Sequence, residues 1–140
     1  MAALGNLEAI LEAIRANVNE AWEASMPVSF GPPVEALAAP YAVVDLLPVA
    51  REFQTVRGVE ETYRFRVTGR FPFPSSGNLL LTKAGRMRAL IELLQPGPRY
   101  QGLATRPLVT QADPGETDDG EQRVYEVTLT FECRVEVEHH

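Results

Sequence analysis

From Gln122 to Glu138 the chain alternates with period two. Arg123, Tyr125, Val127, Leu129, Phe131, Cys133, Val135 and Val137 fill one set of positions, and Glu126, Thr128, Thr130, Glu132, Arg134, Glu136 and Glu138 the other. Successive side chains of a strand point to opposite faces, so this spacing predicts a half-buried strand with one apolar face and one charged, hydroxylated face. Its length, its Val, Thr, Tyr and Phe content and its freedom from Gly and Pro suit an antiparallel sheet with one side on a core. Glu61 to Phe71 alternates in the same way, with Tyr63, Phe65, Val67 and Phe71 on one side and Arg64, Arg66 and Arg70 on the other. The two polar faces have opposite sign. An antiparallel register that sets Arg64 beside Glu132 and Arg70 beside Glu126 also sets Phe65 against Phe131 and Val67 against Leu129 on the core side.

The period changes to three and four in two other stretches. Leu4 to Ser25 carries Leu4, Leu7, Ile10, Leu11, Ile14, Val18, Ala21 and Trp22 on one stripe, an amphipathic helix that Pro27 ends. About Asn78 to Gln95 predicts a second helix, capped by Ser75 or Ser76, with Leu80, Leu81, Ala84, Met87, Leu90, Ile91 and Leu94 buried and Lys83, Arg86, Arg88 and Glu92 outside. Residues 26–40 hold four of the eleven prolines and read as a connector, extended around Val28 to Phe30 and helical for a turn near Val34 to Ala38. Tyr41 to Leu47 is apolar on both faces, which predicts an interior strand. Glu52 to Arg57 and Pro107 to Gln111 are further strands, Gly58 to Glu60 a turn, and Ala112 to Glu121 an acidic loop. The expected architecture is an α/β (α+β) single domain over residues 1–140: a mainly antiparallel four- to five-stranded sheet with two main helices packed on one face.

Composition narrows function mostly by exclusion. Hydrophobic residues at 45% and charged residues at 23% describe a folded chain. A net charge of −6 argues against specific nucleic-acid binding, which needs clustered Lys and Arg. No apolar run reaches the length of a membrane span, and the N-terminus lacks a basic leader, so a soluble cytosolic product is expected. Cys133 is the single cysteine and its place on the apolar face predicts a buried thiol.

Three places could carry chemistry. The loop with Asp113, Glu116, Asp118 and Asp119, aligned as a calcium loop from Asp113, puts Gly115, Thr117 and Val124 where the ion needs carboxylate or amide oxygens, so no metal is expected. Histidine occurs only as His139 and His140, which leaves Cys133 and every serine without a base for nucleophilic catalysis. Carboxylates such as Asp45 and Glu35 could meet in space but carry no mark beyond acidity. No cofactor and no enzymatic activity are therefore expected. The informative surface is the outer face of the two long strands, where Arg64, Arg66, Arg70, Glu126, Glu132 and Arg134 read in two ways. They form a solvated charge ladder contributing a few tenths of a kcal/mol per pair, or a contact with a neighbouring copy in which charge fixes register. Asp113, Glu116, Asp118 and Asp119 are the candidate partner-contacting loop.

The order of these elements carries a resemblance. The N-terminal helix, the Pro-rich connector, Ala38-Ala39-Pro40-Tyr41-Ala42-Val43-Val44, the Arg-faced strand, Arg88-Ala89-Leu90-Ile91-Glu92-Leu93-Leu94 and the final strand Val124-Tyr125-Glu126-Val127-Thr128-Leu129-Thr130-Phe131 together resemble the tail-terminator and tail-completion proteins of long-tailed bacteriophages and their gene-transfer relatives. The resemblance implies a structural virion subunit that assembles as a hexameric ring on the tail tube, stops its polymerisation and offers a surface to head-completion or neck proteins. It also implies assembly in the host cytoplasm and a final place at the head–tail junction. A head–tail connector or neck subunit of the same particle is the nearest alternative, and a small bacterial ligand-binding domain or enzyme is the alternative from another class.

Overall fold

The pair of long strands is the centre of the computed structural model, which describes residues 2–138 apart from 34, 36, 54–57, 75–76, 96, 101, 106, 119 and 121–122. The chain runs α1 (Ala2–Ala21), β1 (Val28–Phe30), β2 (Tyr41–Leu46), β3 (Ala50–Phe53), β4 (Gly58–Pro72), α2 (Leu79–Leu94), a single 3₁₀ turn (Pro98–Tyr100), β5 (Leu108–Asp113), β6 (Thr117–Asp118) and β7 (Val124–Glu138). β4 and β7 are antiparallel over fifteen residues each, in the expected register: Arg64 faces Glu132, Arg70 faces Glu126, Phe65 faces Phe131 and Val67 faces Leu129.

Among the described residues seven strands make up the sheet, in the order β1-β2-β4-β7-β5, with β3 on β4 and β6 on β7. All pairs are antiparallel except β1 with β2. The sheet thus exceeds the expected four to five strands, because β3 and β6 are short pieces that share an edge with a longer strand. β2 and β3 lie along the same edge of β4, divided where Pro48 cannot donate to the ladder. Gly58 to Glu60, expected as a turn, extends β4 instead, because Glu138 to Glu136 of β7 supply its partners. Of the strand expected over Glu52 to Arg57, β3 covers Glu52 and Phe53, and the rest lies outside the described residues. The helical turn expected near Val34 to Ala38 falls partly outside them too, and 35, 37 and 38 are not helical. β7 starts at Val124, and the expected start at Gln122 lies outside the described residues. Arg123 bends with a φ of 48° and lays its guanidinium 5.0 Å from the Phe73 ring centre.

One face of the sheet meets the helices. Ile10, Ala13, Ile14, Val18 and Trp22 of the α1 stripe, Leu90 and Leu94 of α2, and Tyr63, Phe65, Val67, Phe71, Tyr125, Val127, Leu129, Phe131 and Cys133 of the long strands form one buried cluster. α1 stops at Ala21, earlier than expected, where Asn19 Nδ2 donates to the carbonyls of Glu23 and Met26, both at 3.0 Å, and folds the exit back. At the far end of the core, Trp22 stands edge-on to Phe71 with centroids 5.2 Å apart, and Phe71 stacks on Tyr125 at 5.4 Å. Such pairs contribute about 0.5–1.5 kcal/mol each beyond their buried area. Gly69 makes room for this cluster: a Cβ there would meet Trp22 at 2.5 Å and Phe71 at 2.7 Å.

The second helix departs most from its sequence pattern. Its cap is Asn78, whose Oδ1 accepts from the amides of Leu80 at 2.9 Å and Leu81 at 3.3 Å; Ser75 and Ser76 lie outside the described residues. Met87, Leu90, Ile91 and Leu94 pack inward as expected, yet Leu80 and Leu81 are 66% and 72% exposed and Lys83 is buried. The phase is set by the aromatic end of the core. Arg86 places its guanidinium 4.2 Å from the Phe71 ring centre, its carbonyl accepts from Trp22 Nε1 at 2.9 Å, and Lys83 Nζ donates to the Thr117 hydroxyl. Their alkyl stems cover apolar surface while the charged ends find partners.

The face assignment predicts opposite outcomes at adjacent positions. Phe131→Asp puts an unpaired charge in the core and abolishes cooperative folding, whereas Thr130→Asp, beside Arg66 on the other face, leaves far-ultraviolet circular dichroism and the urea transition close to wild type. A second prediction concerns alkali. Burial, then the neighbouring Glu132, pushes the Cys133 thiol up to about 12. Burial also lifts the Tyr100 hydroxyl well above the ordinary phenol range, with Cys133 adding to the rise. Both groups keep their protons in the fold, so their stabilisation is complete below the unfolded values, about 8.5 and about 10, and is lost as pH rises above them. Urea unfolding should show stability falling from about pH 8.5 by up to about 1.4 kcal/mol per pH unit, and more steeply above about 10. Cys133→Ala removes the first part of that fall.

Candidate functional site

The face of the sheet opposite the helices carries the charges. β4 supplies Arg64, Arg66 and Arg70, and β7 supplies Glu126, Glu132 and Arg134, so all six sequence-predicted residues share the surface of the two central strands. Arg64 lies 3.5 Å from Glu132 and Arg70 lies 3.3 Å from Glu126, the two pairs that the register requires. Two more partners come from elsewhere. Asp45 of β2 stands across from Arg66 at 4.0 Å, and Glu60 reaches Arg134 at 3.7 Å along the diagonal of the ladder. Asp45 was legible as a lone acid in an apolar strand, but its partner depended on where β2 docks; Glu60 was hidden by its assignment to a turn.

These ion pairs are uneven. The side chains of Arg64 and Arg134 are 53% and 55% exposed, while Glu132 and Glu60 are 18% and 17% exposed. Glu132 and Glu60 therefore sit low on the face with the guanidiniums of Arg64 and Arg134 above them, while Arg70 and Glu126 are about equally exposed. Separations of 3.5–4.0 Å are loose for charge-assisted contacts, and among the described residues the guanidiniums of Arg64, Arg66 and Arg134 make no hydrogen bond. Pairs this exposed contribute about 0–1 kcal/mol to folding.

The acidic segment is better ordered than a free loop. Its expected start, Ala112 and Asp113, belongs to β5, and Thr117–Asp118 form β6 against Tyr125 and Val124. Asp113 Oδ1 accepts from the Gly115 amide at 2.7 Å, Asp118 Oδ1 from the Gly120 amide at 2.9 Å, and the Glu116 carbonyl from the Glu126 amide at 2.8 Å. Gly115 has a φ of 68° and runs so close to β7 that a Cβ would lie 2.7 Å from the Glu126 carbonyl. From the other side, Lys83 of α2 holds Thr117. Asp113, Glu116 and Asp118 are thus presented outward on a fixed backbone, and Asp119 lies outside the described residues.

Between this segment and the arginines lies an open concavity of about 440 Å³, lined by Asp45, Arg66, Thr68, Gln111, Asp113 and Glu116 among others. A second groove, of about 550 Å³, runs between the Pro-rich connector, including Glu35, Leu37 and Ala39, and Arg70, Pro72 and Val124. Asp45 and Glu35 line different depressions and Asp45 faces Arg66, so they do not act as a carboxylate pair. Among the described residues no group of three His, Cys, Asp or Glu side chains is placed to hold a metal ion, and no helix is long and apolar enough to cross a membrane. The surface can recognise a partner of complementary charge and fix its register.

No protein family model matches the sequence, and no curated protein matches it. Among solved structures, the chain is similar to one in the "Virion of native gene transfer agent (GTA) particle", with a TM-score of 0.61 and 19% sequence identity over 96% of this chain and 98% of that one. At this identity the likeness establishes a common fold, and it extends over nearly the whole of both chains.

Proposed function

We propose that this protein is a non-enzymatic structural subunit of a phage-like particle, which forms a ring on the tail tube, ends its polymerisation and joins the tail to the head. The observation that carries this reading is the fold shared, over 96% of the chain, with a chain of a gene transfer agent virion. The element order that resembles tail-terminator proteins adds to it. So does the outer face: its exposed ion pairs do little for folding, and a rigid, charged sheet surface suits register-setting between copies. Its partners in this reading are further copies of itself, in the hexameric ring that the resemblance implies, the tail tube protein and the head-completion or neck proteins. A neck subunit is the second reading, because the likeness is to one chain of a whole particle and assigns no position within it.

Two measurements test this. Native mass spectrometry of the purified protein, alone and with tail tubes, should find a closed ring in at least one condition; a monomer in both contradicts the proposal. Deleting the gene from the producing particle then separates the positions. Loss of a terminator yields tails of uncontrolled length, whereas loss of a neck subunit yields tails of normal length without heads.

A further inference from the structure

We infer that copies of this chain dock through two apolar features: the leucines that open α2 of one copy, Leu80 and Leu81, seat in the groove beside the Pro-rich connector of another. This rests on the reading of the protein as a self-assembling subunit and names a contact between its copies. At 66% and 72%, Leu80 and Leu81 are the most exposed large hydrophobic side chains among the described residues. Two residues further on, Lys83 is buried with its Nζ on the Thr117 hydroxyl. Exposing two leucines while burying a lysine is the reverse of what folding alone selects. Such a local departure from the core pattern marks a surface with a use beyond the fold.

The leucines begin a longer stripe. From Leu81 the outward side of α2 continues through Ala84 and Gly85 to Arg88, and all four are exposed. A Cβ at Gly85 would meet nothing within 4 Å, so the helix surface is low there and open to a close neighbour. The groove, of about 550 Å³, has a matching character: Pro33, Leu37, Ala39, Tyr41 and Pro72 wall it, and its charged residues are Glu35 and Arg70. Arg70 is taken by Glu126. Among the described residues neither Glu35 nor Arg88 forms an ion pair, Arg88 not even with Glu92 a turn further on. An apolar ridge with a guanidinium about 10 Å along its helix thus answers an apolar slot with a carboxylate. One chain cannot make this contact within itself. Tyr41 pairs with Arg70, and Pro72, two residues on, pairs with Val124, so all four stand on the charged side of the sheet while α2 covers the other. Both halves are present in one sequence on opposite sides of the molecule, which makes the occupant a second copy and the association heterologous.

Separate lesions in the two halves test the contact under conditions in which the wild type assembles, alone or on tail tubes. A ridge variant, Leu80→Asp with Leu81→Asp, and a groove variant, Ala38→Trp, should each stay monomeric by native mass spectrometry. Mixed in equal amounts they should form a dimer and stop there, since one intact ridge and one intact groove remain between them. Should the ridge variant fail to fold by circular dichroism, Leu80→Ser with Leu81→Ser takes its place and should raise the concentration needed for assembly about tenfold. Arg88→Glu and Glu35→Arg should each weaken assembly, and the two combined in one chain should restore it. Folded variants that assemble like the wild type, or a mixture without dimers, overturn this contact and leave the ring standing. A ridge variant that assembles normally alone but no longer on tail tubes assigns the leucines to the tube protein and overturns the inference as well. A wild type that assembles in neither condition removes the ring reading itself, and this contact with it.

Discussion

The antiparallel pairing of β4 with β7 is the constraint on which the rest of the molecule depends. Because side chains alternate strictly across a strand, one register fixes two surfaces at once. It brings Phe65 onto Phe131 on the helix side, with ring centroids 5.6 Å apart, and Arg64 onto Glu132 on the other. A slip by one residue would send the aromatics to solvent and the arginines into the core, so both faces oppose it together. The other five strands add to an edge of this pair or to a strand already on it, and both helices cover its apolar side.

The two faces carry different kinds of energy. Inside, the aromatic cluster of Trp22, Phe71 and Tyr125 packs so closely over Gly69 that no side chain would fit there, and Arg86 ties α2 to both Trp22 and the sheet. Outside, charges at 3.3–4.0 Å in water add little to the stability of one copy. A surface that does so little for the fold is open to a role in recognition, where complementary charge steers encounter and excludes wrong registers. That difference is why the outer face, and not the core, is the place to look for function.

How much of this could be read from the sequence follows from the same physics. The long strands were legible because period two holds for many residues without a Gly or Pro on the core face apart from Gly69, and their register was legible because charge and aromatics agreed on it. α2 was legible as a helix but not in phase. Leu79, Leu80 and Leu81 spread apolar character around the first turn, and the choice among them was made by Trp22 and Phe71, distant in sequence. β6 is two residues long, too short for any period, and β3 is little longer. Of the candidate site, the Arg64–Glu132 and Arg70–Glu126 pairs were visible, while those of Arg66 with Asp45 and Arg134 with Glu60 waited on the positions of β2 and of the start of β4. What the face binds was not visible, since a solvated ladder and an interface use the same residues.

The dependence of the fold on its central pair can be measured amide by amide. Native-state hydrogen exchange at increasing denaturant should show the β4 and β7 amides between Tyr63 and Phe71 and between Tyr125 and Val135 opening only with global unfolding, while those of β1 and β5 open earlier through local fluctuations. Edge strands that hold their protons as long as the central pair, or a central pair that exchanges first, would contradict the account.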